Sequence, residues 1–236
     1  MIEALTEPFE QGIGQRALVE LVVLGVACGP LGIWVLLFRH GYAAESIAHG
    51  MLPGLVIASL AGLPLALGGA GGLLLAAGGI ALARQFAAVG PDASVAVVVT
   101  FLFGLGSLLA LSAAVPLRLG ELLFGDPLSV SNTDLAASAA LAGLIALGLA
   151  VLRRHLSLSG FEAASARSLG GSPARAELAL LVALALTTLI AVQALGNLLV
   201  VALIVAPAAG ALRINDRLGS AIRLAAVLAV ASGIGG

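Results

Sequence analysis

Apolar runs of about twenty residues, joined by short polar connections, leave this chain little choice of surroundings. A helix needs about 20 apolar residues to cross the hydrocarbon core of a bilayer. Such runs fall at about 17–38, 47–66, 69–86, 93–115, 134–152, 176–193, 197–212 and 219–236 of the 236 residues. The composition is 61% hydrophobic and 10% charged, against about 45–50% and 25% in a soluble domain. The runs are continuous rather than alternating, which excludes an outer-membrane barrel. The expectation is an all-α, polytopic transmembrane bundle of about eight spans, a single domain over 1–236.

Arginine placement orients that bundle. All eleven basic residues are arginines. With the N-terminus outside, the inner connections carry Arg39, Arg84, Arg153, Arg154, Arg167, Arg175, Arg213, Arg217 and Arg223, leaving only Arg16 and Arg118 outside. An orientation with the N-terminus outside is therefore expected. The lack of lysine excludes a Walker A phosphate loop, whose Gly-Lys-Ser/Thr step holds the nucleotide, so any ATP is handled on another chain. A net charge of −1 argues against a nucleic-acid partner. The single cysteine, Cys28, lies in an apolar run, which excludes an intrachain disulfide. No HExxH, no GxSxG and no paired carboxylate at helical spacing within a span marks an enzyme.

The connections are read as 39–46, 84–92, 116–133, 153–175 and 213–218, with short turns at Gly68-Gly69 and around Gly196. Gly25/Gly29, Gly50/Gly54 and Gly68/Gly72 have the small-xxx-small spacing that lets helices approach closely in lipid. Packing within one subunit is favoured over a dimer seam. Pro53, Pro64, Pro116 and Pro207 are expected to kink or break helices where protein or water lines the break. Trp34 and Tyr42 are read as interfacial anchors, and His40 and His155 as solvated residues of inner connections.

Three segments could carry chemistry. Glu45 and His49 stand four residues apart, hence on one helical face, and both residue types bind first-row divalent metals. A carboxylate within the bilayer costs about 3 kcal/mol and is usually functional. Equally, Glu45 could sit in a first turn, favoured by the helix dipole, with His49 in water. The pair alone is an incomplete site, so further ligands must come from elsewhere or from a second subunit. The 153–175 connection allows a short helix from Phe161 to Leu169, stopped by Gly170-Gly171, with Phe161, Ala164 and Leu169 on its apolar side. It is either a docking surface or a solvated loop. Gln193 and Asn197, one turn apart near the outer turn, could strip hydration from an ion or bond exposed backbone at a helix break.

Together these segments resemble the membrane subunit of zinc/manganese/iron-type ABC transporters. The resemblance runs through Phe38-Arg39, Glu45, His49-Gly50-Met51-Leu52-Pro53-Gly54, Leu123-Phe124-Gly125-Asp126, Val130-Ser131, Asp134-Leu135, the stretch from Phe161 to Gly170, and Gly196-Asn197 through Ala206-Pro207-Ala208-Ala209. It departs at Glu45, where the family commonly has aspartate, and at His40-Gly41-Tyr42-Ala43-Ala44, where a basic, serine-containing run is usual. The chain ends at Gly235-Gly236, earlier than the resemblance leads one to expect, leaving either a shortened last span or a shortened chain.

The resemblance implies an importer permease of a bacterial cytoplasmic (inner) membrane, working by alternating access, with two copies of this chain. It also implies a separate ABC ATPase that binds ATP on the cytoplasmic side and an extracytoplasmic metal-binding protein. The cargo would be a divalent transition metal, zinc or manganese and less readily iron, and this chain would hold no cofactor of its own. Glu45 and His49 would be the metal ligands, with Gln193 and Asn197 weaker candidates along the path. Phe161, Glu162, Ala166, Arg167, Leu169 and Gly170 would couple to the ATPase. The alternatives are an ABC permease for a metal chelate such as a siderophore, and an ion-coupled secondary transporter. The second usually needs a midplane charge, and the span middles read as nearly free of charge.

Overall fold

The structure, a computed structural model, describes residues 12–86, 90–111, 125, 130–161, 163–168 and 171–235. Its described residues form eight helices: α1 (Gly12–Leu37), α2 (Gly41–Ala61), α3 (Leu65–Ala83), α4 (Pro91–Ala110), α5 (Asn132–Phe161), α6 (Ala163–Ser168), α7 (Pro173–Ile214) and α8 (Leu218–Gly235). All but the short α6 are long and apolar enough to cross a membrane.

The turns explain where the helices begin. At the end of α1, the Phe38 and His40 N–H groups donate to the Trp34 and Val35 carbonyls, and Arg39 takes a left-handed conformation (φ 58°). The reversal is so tight that α2 starts at Gly41, well before the expected 47, and Glu45 stands more than a turn inside it. The α2–α3 turn lies at Gly62-Leu63-Pro64 rather than at the expected Gly68-Gly69. Gly62 adopts φ 66° and the Leu63 N–H donates to the Ala58 carbonyl at 2.9 Å, closing a Schellman-type end. Pro64 cannot continue the helix and begins the next one. Ser172, with Pro173 behind it, opens α7 by accepting the Arg175 N–H. At the start of α5, the Ser131 hydroxyl accepts the Asp134 N–H at 3.2 Å while Asp134 Oδ2 accepts the Ser131 N–H at 3.1 Å, a reciprocal cap.

Helix α7 has 42 residues, about 63 Å at 1.5 Å per residue and twice what a bilayer needs. It holds two passes. Gly196 sits at φ 72°, ψ 163°, a region open essentially to glycine alone. Glu177, near the start of α7, touches His40 beyond the end of α1. Gln193 shares a cavity with Glu20, in the first half of α1. Ile204 and Ala208 then abut Gly32, back near the end of α1. The chain thus runs along α1 in one direction before Gly196 and returns along it afterwards. Helix α5 extends past the expected 152 to Phe161, carrying Arg153, Arg154 and His155 on helix rather than loop.

Small residues set the packing. A Cβ on Gly25 would lie 2.8 Å from the Val230 backbone, one on Gly50 2.7 Å from Ala76, and one on Gly72 2.8 Å from the Gly50 carbonyl oxygen. Gly54 and Gly68 each sit against the other's backbone, Gly29 against Ala225, and Gly32 against Ile204. These glycines therefore serve contacts within one chain. Trp34, expected at the interface, is 1% exposed in the core with Leu24 and Leu31, whereas Tyr42 is 43% exposed.

The arginine-bearing connections meet at one end of the bundle. Arg84, at the end of α3, contacts Glu177 at the start of α7. Arg153, Arg217 and Arg223 line one cavity between α1, α5 and α8. Replacing Gly54 with Val should destabilise the protein by about 1–3 kcal/mol, the cost of overpacking a tight core, and lower its unfolding midpoint in detergent. Gly71→Ala, where an added Cβ meets nothing within 4 Å, should leave that midpoint unchanged.

Candidate functional site

The Glu45–His49 stretch is shaped by the proline that follows it. Pro53 has no N–H to give the His49 carbonyl, the i−4 acceptor of a regular helix. The Leu52 N–H takes that acceptor instead, and Ile47–Met51 tightens into a 3₁₀ stretch inside α2. Around it Ala43, Ala44, Ser46, Ile47, Ala48 and Gly50 are buried, while Glu45 and His49 are both exposed. Neither hydrogen-bonds nor ion-pairs with the other among the described residues. The His49 ring meets Phe103 of α4 edge-on, with centroids 5.5 Å apart and planes at 75°.

Asn197 comes to the same place. Its Nδ2 donates to the Glu45 carbonyl oxygen at 3.4 Å, and its Oδ1 is buried without a hydrogen-bond partner. Gln193 does not accompany it. The expected one-turn spacing fails because Gly196 lies between them out of helical conformation, and Gln193 instead lines a small cavity with Glu20, Asp134 and Ser138. Gly125 packs against the Leu195-Gly196 backbone, with φ 66°. Two of the stretches that carry the family resemblance therefore meet at the α7 break. Leu123, Phe124 and Asp126 lie outside the described residues.

A second polar cluster stands at the arginine-rich end. His40 is 2% exposed, not solvated as its neighbours suggest. Arg84 Nη1 lies 2.5 Å from Glu177 Oε1, a charge contact without hydrogen-bond alignment. The same Nη1 is 3.0 Å from His40 Nδ1 and 3.1 Å from Nε2, and Nε2 is 3.4 Å from Glu177 Oε1. Phe38 stacks on the imidazole with centroids 6.2 Å apart. Burial comes from residues far along the chain, which local sequence does not announce. His155 is exposed, as expected.

Near this end lies the expected coupling segment. Phe161 is 68% exposed but ends α5 rather than opening the short helix, which runs from Ala163 to Ser168. Ala166 is fully buried and its carbonyl accepts the Gly171 N–H at 2.8 Å, while Arg167 is exposed. Glu162, Leu169 and Gly170 lie outside the described residues.

Glu20 was not anticipated. It is 2% exposed inside α1, and one of its carboxylate oxygens has no hydrogen-bond partner. The signal was a lone acid four residues into the first apolar run, diluted there by its neighbours.

A model of the ABC 3 transport family matches residues 11–236. The chain belongs to this family. It is a multi-pass membrane permease, a transport component rather than an enzyme, and the family implies an ABC ATPase as partner. This permease is 29% identical over 234 residues to the "Probable iron transport system membrane protein" of Haemophilus influenzae, covering 99% of this chain and 86% of that one. To the "Manganese transport system membrane protein MntC" of Halalkalibacterium halodurans it is 31% identical over 223 residues, covering 94% and 76%. Among solved structures, PsaBC from Streptococcus pneumoniae in complex with Fab superposes with a TM-score of 0.83 at 26% identity, covering 98% of this chain and 84% of that one.

The arginine-end cluster yields a stability prediction for the permease. Breaking a fully buried ion pair by removing one partner costs about 3–5 kcal/mol. Arg84 and Glu177 are each 19% exposed, so Arg84→Met should cost less, about 2–3 kcal/mol, the stranded carboxylate being partly hydrated. Adding Glu177→Leu should recover most of that loss. Unfolding midpoints of the single and double variants check it.

Proposed function

We propose that this permease carries a first-row divalent metal ion, manganese or iron, between two copies of itself, with Glu45 and His49 as its transient ligands. One observation carries the reading. Glu45 and His49 are exposed on the isolated chain yet lie within a membrane-spanning helix. A carboxylate facing lipid there costs about 3 kcal/mol, so this face needs a wet path or a second protein surface against it. A twofold-related copy supplies both, and doubles the ligand set to two carboxylates and two imidazoles.

No group of three or more His, Cys, Asp or Glu side chains that could hold a metal occurs among the described residues. A two-ligand half-site fits a carrier, which must bind tightly enough to select and weakly enough to release. Asn197 supports the half-site by bonding the Glu45 backbone, which ties the α7 break to the 3₁₀ stretch. Relatives named for manganese and for iron transport favour these cargoes. Imidazole and carboxylate together suit either ion.

The ATPase drives the cycle from the arginine-rich end, which the arginine excess places in the cytoplasm with the N-terminus outside. Closure of the ATPase dimer pushes on α6, whose Ala166 is anchored in the bundle, and moves the adjacent start of α7. An extracytoplasmic metal-binding protein delivers the ion at the opposite end.

The test is ATP-dependent uptake of labelled manganese and iron into liposomes holding the permease, its ATPase and its binding protein. His49→Ala and Glu45→Gln should each lower uptake by about tenfold or more, the equivalent of losing a charge-assisted contact of about 1.5–3 kcal/mol. Uptake unchanged in both variants, with the complex still assembled, would remove Glu45 and His49 from the path.

A further inference from the structure

We infer that Glu20, with Asp134, Ser138 and Gln193, forms a second cation site in the permease, built from oxygen donors and suited to a hard divalent ion. These residues line a cavity of about 60 Å³ at the end of the bundle opposite the Arg84–Glu177 contact, walled by Ile190 and Ala194. That volume holds an ion or one to two waters, at about 30 Å³ of liquid per water.

The floor of the cavity is an unfinished coordination problem. Glu20 is 2% exposed, and Ser138, itself 6% exposed, lines the same cavity beside it. Its Oε2 is buried without a hydrogen-bond partner. A second carboxylate, Asp134, lines the same space. The Asp134 side chain is held in place because Oδ2 accepts the Ser131 N–H at 3.1 Å and the Ser131 hydroxyl at 2.5 Å, leaving Oδ1 free of those bonds. Among the described residues no arginine forms an ion pair with Glu20 or Asp134. Arg16 stands one turn before Glu20 on α1, but the ion pairs among the described residues are those of Glu177 with Arg84 and His40.

Two carboxylates beside one cavity repel unless a proton or a cation intervenes. A single protonated Glu20 would explain neither the second carboxylate nor the amide at the rim. A divalent cation answers all of it. Glu20 and Asp134 supply charge, and the Ser138 hydroxyl and Gln193 amide oxygen complete an oxygen set of the kind that manganese and calcium prefer over zinc. Asp134 and Gln193 are exposed while Glu20 and Ser138 are buried, so the site opens outward and closes inward. That is the shape of an entrance where an ion sheds part of its water before reaching Glu45.

The inference rests on the proposed function only for the identity of the cargo. Its test is manganese titration followed by electron paramagnetic resonance on the full permease assembled with its ATPase in nanodiscs. Glu20→Gln should remove one bound manganese per chain, and Ser138→Ala should weaken that site about tenfold. Calcium should compete there, and should not compete at the imidazole-containing site. The Glu45→Gln/His49→Ala double variant should leave the Glu20 site intact. Manganese stoichiometry and affinity unchanged in both Glu20→Gln and Ser138→Ala would overturn the inference. Should Glu20→Gln fail to assemble, the rim variant Gln193→Leu decides: about tenfold weaker binding supports the site, and unchanged binding overturns it. Uptake that survives loss of Glu45 and His49 would sink their assignment as ligands without touching this one.

Discussion

A bilayer offers no water to a stray peptide group, and the rest of this structure follows from that constraint. Each break in a helix frees backbone donors or acceptors that protein must take up. The break before Pro53 is repaired by a one-residue retreat of the hydrogen bond, from i+4 to i+3, which winds Ile47–Met51 into a 3₁₀ stretch. The break at Gly196 is covered by Gly125 on one side. On the other, Asn197 reaches the Glu45 carbonyl. The two irregular points of the bundle therefore support each other, and the residues best placed for chemistry lie between them. The helices that surround them can approach this closely because their contacts are glycine and alanine. Van der Waals contact is what holds helices together where lipid is as apolar as the side chains.

What could be read ahead of the structure was whatever depends on averages or on near neighbours. Hydropathy located the spans, and the arginine count put their ends on common sides, because both sum over many residues. The Pro53 irregularity was legible because it is settled within a turn. The failures share another cause. Glycine both ends helices and lets them touch, so Gly68 looked like a turn although it packs on Gly54, and the turn fell to Gly62. There Pro64 was the better signal. His40 looked solvated beside Arg39 and Gly41, since nothing local reveals that Arg84 and Glu177 close over it. Trp34 looked interfacial for the same reason. Gln193 and Asn197 looked paired because helical spacing was carried across a residue that is not helical. Glu20 vanished into a strongly apolar window.

The polar groups that the fold retains are few, and their separation along the bundle has mechanical sense. At the arginine-rich end, Arg84, His40 and Glu177 clamp the α1–α2 turn, the end of α3 and the start of α7 to one another. The start of α7 also follows directly on the α6 segment. A push delivered there cannot move α7 alone; it must carry the turn that begins α2, and hence Glu45. At the opposite end, the first pass of α7 ends beside Glu20 and Ser138, so the same rigid element reaches the outward cavity. The glycine at 196 then decouples the second pass, which packs on α1 and α8 instead.

A metal carrier working by alternating access needs this division, with one body that links the two ends and another that stays with the frame. The first pass of α7 is suited to be the link because it reaches both the Arg84–His40–Glu177 cluster and the Glu20–Ser138 cavity and carries no internal break. Its apolar faces against α3 and α5 present mostly leucine, alanine and valine, which resist small sliding motions weakly compared with interlocked polar contacts. The clamp at Glu177 is the exception, and it sits where force from the ATPase would arrive. In this reading the ion pair belongs to transmission rather than to the metal. Its loss would leave the proposed Glu45–His49 half-sites chemically intact while freeing the lever that moves them.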